Sequence, residues 1–144
     1  MNGIELIAAE RERQIKKKGW TPEHDSAHVH DELICAAVAY AAQDSTWWPF
    51  KPEEFKPSTN PDDKQGRVRD LAKAGALIAA EIDRLQREIG EEERMIHESA
   101  ELLHETGTAC VSGAGGITFI GYFHGTPEEA EEIIRNAYKR VEKP

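Results

Sequence analysis

Apolar residues recur at helical spacing through most of the chain, and at strand spacing only in one short stretch near its end. Ile4, Ile7, Ala8, Arg11 and Ile15 share one face of a first helix over Ile4–Lys18, and Gly19 is placed to end it. The turn-rich link "WTPEHDSAH" follows, in which Thr21 ahead of Pro22 has the form of a helix cap. An Ala-rich second helix is predicted from about His28 to Gln43, its small side chains suited to close packing. Residues 44–66 then carry four of the seven prolines together with Trp47, Trp48, Phe50 and Phe55. A connection this long is either a binding loop or lid, or a set of aromatics closing the end of a helical bundle.

A third helix begins near Arg67 and extends toward Glu105, with Gly90 expected to kink or break it. Its first half, "RDLAKAGALIAAEIDRL", carries two continuous faces. Leu71, Ile78, Ile82 and Leu85 make one, and Asp70, Lys73, Glu81 and Arg84 make the other. Gly75 sits between them, where it costs about 1 kcal/mol relative to alanine and permits a close neighbour. Beyond Gly90, Met95, Ile96, Leu102 and Leu103 keep a spacing that suggests pairing with another helix or subunit.

Near the end of the chain the pattern changes. "TACVS" and "ITFIGYF" read as strands joined at "GAGG", a hairpin signal. "TPEEAEEIIRNAYKRV" opens a last helix with Thr126 as cap, Pro127 at the first helical position and Glu129 completing a capping box. "GAGG" precedes a strand, so it is not a phosphate loop, and Glu128 and Glu129 already occupy the positive end of the last helix. The expected architecture is mainly α: three N-terminal helices, the third long, in a domain over residues 1–88. A helix extension plus a ββα module over residues 89–144 would serve oligomerisation.

Composition narrows the class. The 144 residues are 39% hydrophobic and 31% charged, as in a globular domain, and Cys35 and Cys110 lie too far apart for a zinc ribbon or disulfide framework. Cys35 reads as a buried thiol. No apolar run is long enough to span a membrane, and the N-terminus becomes charged too early for a signal peptide. A cytoplasmic setting, within a host cell, is therefore expected.

The net charge of −9 is uneven: residues 1–20 hold five Lys/Arg against three Glu, while residues 89–105 hold one Arg against six Glu. That balance excludes non-specific nucleic-acid binding, which depends on neutralising phosphates. Local basic patches remain in "RERQIKKK" and around "RVRD" and can hold a small anion.

Candidate chemistry gathers in the N-terminal part. Glu10, Arg11, Arg13 and Gln14 lie on the first helix. Trp20, Glu23, His24, Asp25 and His28 lie in the link, Glu32 on the second helix, and Asp70, Lys73, Glu81 and Arg84 on the third. Carboxylates facing one another across helices hold Mg²⁺, and Arg, Gln and Lys beside them suit a phosphate. The competing reading is a set of inter-helix ion pairs. "HDSAHVH" does not place three ligands on one helical face, so a ligand contact or cap fits it better than zinc. No Ser-His-Asp or Cys-His arrangement, Walker motif or dinucleotide fingerprint is present.

"IAAERERQIKKKGWTPEHDSAHVHDEL", Tyr40 with "WWPF…KP", and "RDLAKAGALIAAEIDRL" resemble, in that order, a small protein family common in phages and prophages. In that family the same blocks occur alone or at the end of Ea22-like accessory proteins. The resemblance covers residues 4 to about 87. Asp31 stands where the family usually has glycine, and Ser26 where it has a second aspartate. The family is in turn distantly similar to all-α, MazG-like nucleotide pyrophosphohydrolases, which bind Mg²⁺ through an ExxE motif and an ExxD-type motif on successive helices. The counterparts here are Val29-x-x-Glu32 and Asp70-x-x-Lys73, so each motif keeps one acid. A lysine in place of a magnesium ligand neutralises a phosphate but does not activate water as a metal does.

The resemblance thus implies a MazG-like helical bundle that binds a nucleotide-derived, phosphorylated small molecule without efficient hydrolysis, as an anti-defence protein sequestering a signalling nucleotide would. Arg11, Gln14 and Lys73 are expected on phosphate. Trp20, Trp47 or Trp48 would stack on a base and His24, Asp25 and Glu32 would meet sugar or base edges, with His28 and Arg84 completing the set. No cofactor is expected in this reading. A Mg²⁺-dependent pyrophosphohydrolase is the alternative, with Glu10, Glu32, Asp70 and Glu81 (or Asp83) as metal ligands. A third possibility is an acidic inhibitor that binds a host enzyme through residues 89–105. A homo-oligomer is expected, and a membrane partner is not.

Overall fold

A computed structural model describes residues 1–60 and 62–142. The chain is mainly α-helical and divides into two compact units, residues 1–86 and 87–144.

The first unit contains α1 (Gly3–Lys18), the one-turn α2 (Pro22–Asp25), α3 (Glu32–Ala42) and the opening of α4 (Lys64–Thr106). Asn2 caps α1 by accepting from the amides of Ile4 and Glu5, and Glu5 returns a bond to the Asn2 amide. Gly19 closes α1 in the left-handed conformation, φ 71°. Thr21 caps α2 as its position before Pro22 predicts. The buried face of α1 is rotated from the predicted one: Ile4 is 80% exposed and Gln14 only 2%. Residues Ile7, Arg11 and Gln14, two of them polar, face inward or lie half-buried.

α3 is shorter than predicted and starts at Glu32 rather than His28. Asp31 stands at φ 61°, and this left-handed residue separates the turn before it from the helix. Cys35, expected to be buried, is half-buried. The core joins Leu33, Ala36, Ala37 and Tyr40 to Ala74, Leu77 and Ala80 of α4, and Trp20, Trp48, Phe50 and Phe55 pack against it. The proline-rich connection is therefore an aromatic plug on this core. Trp48 lies against Tyr40, Phe50 and Phe55 with ring centroids 5.2–5.5 Å apart.

Of the two faces on the first half of α4, the charged one is inside. Asp70, Glu81 and Arg84 are 1%, 4% and 9% exposed, against 46%, 44%, 51% and 42% for Leu71, Ile78, Ile82 and Leu85. Small Ala74, Ala76 and Ala80 and the single large Leu77 fill the apolar part of the inner surface. Gly75 serves the close neighbour its position suggests: a Cβ there would lie 2.6 Å from Ile7 of α1.

α4 runs unbroken through Gly90, so the predicted break is not found. One exposed glycine costs only about 1 kcal/mol, which a long helix absorbs.

The second unit holds the rest of α4, an antiparallel hairpin of β1 (Ala109–Gly113) and β2 (Gly116–Ile120), and α5 (Pro127–Val141). Register runs from Ala109↔Ile120 to Gly113↔Gly116, so the predicted "GAGG" is the turn, with Gly116 at φ 124°. The Thr126–Glu129 capping box is present. Ile96, Ala100 and Leu103 of α4 form a core with Ala109, Val111, Ala130, Ile134, Ala137 and Val141, while Met95 and Leu102 face outward. No helix among the described residues is long and apolar enough to cross a membrane.

Candidate ligand groove

Glu10 and Arg13 are three residues apart on one face of α1 and meet as a fork, Nε to Oε2 and Nη2 to Oε1, both at 2.7 Å. Gln14 Nε2 donates to the same Glu10 at 3.4 Å, while the buried Gln14 Oε1 has no hydrogen-bond partner among the described residues.

On α4, Asp70 anchors the proline-rich connection. Its Oδ2 accepts from the Ser58 amide at 2.7 Å and from Gln43 Nε2 at 3.2 Å, and its Oδ1 accepts from Lys73 Nζ at 3.2 Å. Lys73 also donates to the Lys56 carbonyl at 2.9 Å and sits 4.6 Å from the centre of the Tyr40 ring. Tyr40 accepts from the Lys56 amide, and burial pushes its phenol above the ordinary range. Arg67 reaches back to the Tyr40 and Ala41 carbonyls at 3.3 and 2.5 Å and so closes the C-terminal end of α3. A side chain at Gly66 would collide with Ser58, so the glycine admits the connection to the start of α4.

These groups border three depressions that share walls. The largest, about 810 Å³, lies between α1, residues 56–60 with Asp63, and the start of α4, and is lined by Arg13, Lys56, Arg69 and Lys73 against Glu10, Asp63 and Asp70. A second, about 590 Å³, shares Glu10, Arg13, Lys56 and Lys73 with it and adds Gln14, Lys18, Trp20, Tyr40, Glu53 and Glu54. A third, about 190 Å³, shares Trp20 and Glu54 with the second and adds His24, Asp25, His28, Leu33, Phe50 and Leu77. Each of the two larger ones is bordered by four cations and three carboxylates, a local positive excess in a chain of net charge −9. Lys56 and Lys18 have no ion-pair partner among the described residues, and both are exposed.

The predicted site residues are thus distributed unevenly. Gln14, Trp20 and Lys73 border the middle depression, and Trp20, His24, Asp25 and His28 border the smallest. There the His24 and His28 rings stand 5.0 Å apart and Phe50 covers His28 at 5.2 Å. Arg11, expected on phosphate, instead holds the buried Asp25 through Nη2 and the Trp20 carbonyl through Nη1, tying α2 to α1. Trp47 is exposed on the surface, and Trp48 belongs to the aromatic plug, where its Nε1 donates to the Lys51 carbonyl at 2.9 Å. Arg84 and Glu81 grip each other as a buried fork at 2.8–2.9 Å.

The four carboxylates named for Mg²⁺ are each engaged by the protein itself. Glu10 holds Arg13, Glu81 holds Arg84, and both oxygens of Asp70 accept from protein donors. Glu32 sits at the start of α3, where its own amide and that of His30 hold its carboxyl below the usual carboxylate range. Among the described residues no group of three His, Cys, Asp or Glu side chains is placed to hold a metal ion.

Residue-type reasoning missed Lys56, Ser58 and Gln43. The only signal for Lys56 is a cation between Phe55 and Pro57 in an otherwise aromatic and proline-rich stretch. No family model, no curated protein and no solved structure matches this chain.

Proposed function

We propose that this chain binds a phosphorylated, nucleotide-derived small molecule in the groove of its first unit and does not hydrolyse it efficiently. One observation carries the reading: Lys73 stands at the junction of the two larger depressions, with two of its three N–H donors committed to Asp70 and the Lys56 carbonyl. The remaining N–H, together with Arg13, Lys56 and Lys18, forms a cationic stretch suited to phosphate oxygens. Trp20 and Phe50, with His24 and His28, supply flat faces for a base at one end. Volumes of about 590 and 810 Å³ fall within the ~300–1,000 Å³ of small-molecule sites.

The resemblance to phage accessory proteins and, more distantly, to a MazG-like bundle favours a nucleotide over other anions. Engagement of Asp70 by Lys73, where a metal-binding pair of acids would stand, favours holding over hydrolysis. Sequestering a signalling nucleotide in an anti-defence role is the biological form this takes.

The test is mass spectrometry of bound and free small molecules after the full chain is incubated with nucleotides, ADP-ribose and Mg²⁺. Recovery of an intact nucleotide from the protein, weakened at least tenfold by Lys56→Ala, supports the proposal. Conversion to a monophosphate in solution refutes it in favour of the pyrophosphohydrolase. Neither binding nor turnover refutes both and leaves the acidic host-enzyme inhibitor.

A further inference from the structure

Gln14 is 2% exposed and lies in the wall of the depression of about 590 Å³. Its amide is held one way round. Nε2 faces Glu10 Oε1 at 3.4 Å, and the reverse orientation would set two acceptors against each other. Oε1 is therefore the open end. It has no hydrogen-bond partner among the described residues, and Arg11 Nε, one turn back on α1 and also unpaired, does not bond to it. An open buried acceptor costs the fold stability and calls for a group that completes it.

This orientation also reverses the role expected of the residue from its type. A carbonyl oxygen repels phosphate oxygens, so Gln14 is not a phosphate contact; it needs an N–H or an O–H. The depression it borders meets the aromatic one at Trp20 and Glu54, and the largest one at Lys56 and Lys73. With a base against Trp20 and a phosphate on Lys73, the sugar falls between them, in the depression that Gln14 borders with Glu53 and Glu54. All three residues offer acceptors there, and the donors a sugar brings are hydroxyls.

We propose that Gln14 Oε1 accepts a hydrogen bond from a sugar hydroxyl of the ligand and makes the groove selective for nucleotides that carry one. The inference rests on the reading of the groove as a nucleotide site and deepens it by naming the sugar contact.

Equilibrium dialysis of the full chain tests it, with the four ribonucleoside diphosphates and their 2′,3′-dideoxy counterparts as probes and mass spectrometry as the detector. Wild type is compared with Gln14→Met, which keeps nearly the same volume without a strong acceptor, while Glu10 keeps its fork with Arg13. Wild type should bind its preferred ribonucleotide at least about tenfold more tightly than the dideoxy form. In Gln14→Met that preference should vanish, and the tryptophan-detected melting temperature should hold or rise because an open buried acceptor is gone. Equal wild-type affinity for the two forms overturns the inference and leaves the nucleotide reading standing, as does a preference that survives in Gln14→Met. A Gln14→Met chain that melts well below wild type or does not fold also overturns it, since the amide then serves the fold. Binding of none of the probes by wild type defeats the nucleotide reading and this inference together.

Discussion

Replacing Asp70 by alanine removes a group that joins α4, the end of α3 and the proline-rich connection. In the native chain its carboxylate is 1% exposed and accepts from the Ser58 amide, from Gln43 and from Lys73. Alanine leaves a buried amide and a side-chain amide without their acceptor and a cation without its counter-charge. Breaking a buried charge pair by removing one partner costs about 3–5 kcal/mol. Lys73 retains 23% of its side-chain exposure and so recovers some hydration, which places the expected loss near the lower bound, about 3 kcal/mol.

Trp20, Trp47 and Trp48 all lie in residues 1–86, so tryptophan emission during urea denaturation reports the unit that holds Asp70. For a domain of this size each kcal/mol moves the midpoint of thermal unfolding by roughly 4–8 °C, giving an expected fall of more than 10 °C. Asp70→Asn keeps an acceptor for Ser58 but not the charge facing Lys73, and belongs between the two. In a double variant with Lys73→Met the costs should not add, because the second change removes a cation already unpaired. An alanine variant that loses less than about 1 kcal/mol would refute the claim that Asp70 anchors the connection.

Other substitutions probe backbone and packing. Asp31→Gly should stabilise the first unit by about 0.5–1 kcal/mol, since Asp31 is held at φ 61° and its side chain caps nothing; the urea midpoint reads it directly. Gly75→Leu should cost about 1–3 kcal/mol in the same assay despite its better helix propensity, because the new side chain meets Ile7 at once. Acid should weaken the second unit selectively. Hydrogen bonds from Arg135 hold the Glu93 carboxyl below its usual range, so its contribution is complete above the ordinary carboxylate pKa. That contribution is lost as pH falls through the depressed value. Amide exchange in α5 should rise on acidification, and in Arg135→Gln this pH dependence should be smaller.

Much of this fold was legible because local signals agree with one another. Gly19, Thr21-Pro22 and the Thr126–Glu129 box end or begin helices where their backbone chemistry requires. The hairpin follows from two β-rich runs about a glycine turn. Less accessible was the direction each helical face takes. On α1, Gln14 turns inward and Ile4 outward, and hydrophobicity alone orders them the other way. The residues that close the groove come from contacts distant in sequence, Gln43 and Ser58 with Asp70, and no spacing rule announces them. Asp31 misled for another reason: a non-glycine residue in left-handed backbone ends an otherwise helical pattern without any breaker in the sequence.

The inward charged face of α4 is where the two ways of explaining a polar stripe part. Glu81 and Arg84 are three residues apart on one helix and satisfy each other as a fork, so their burial needs no ligand and no metal. Asp70 and Lys73 have the same spacing but not the same closure. Asp70 is fully used, whereas Lys73 is held by a carboxylate and a carbonyl and still borders open space on both sides. An ammonium held in this way is oriented before any ligand arrives, which lowers the ordering cost of binding an anion. Of four charges on one stripe, therefore, three serve the fold, and the proposed anion contacts narrow to Lys73 with Lys56 and Lys18, which have no ion-pair partner among the described residues.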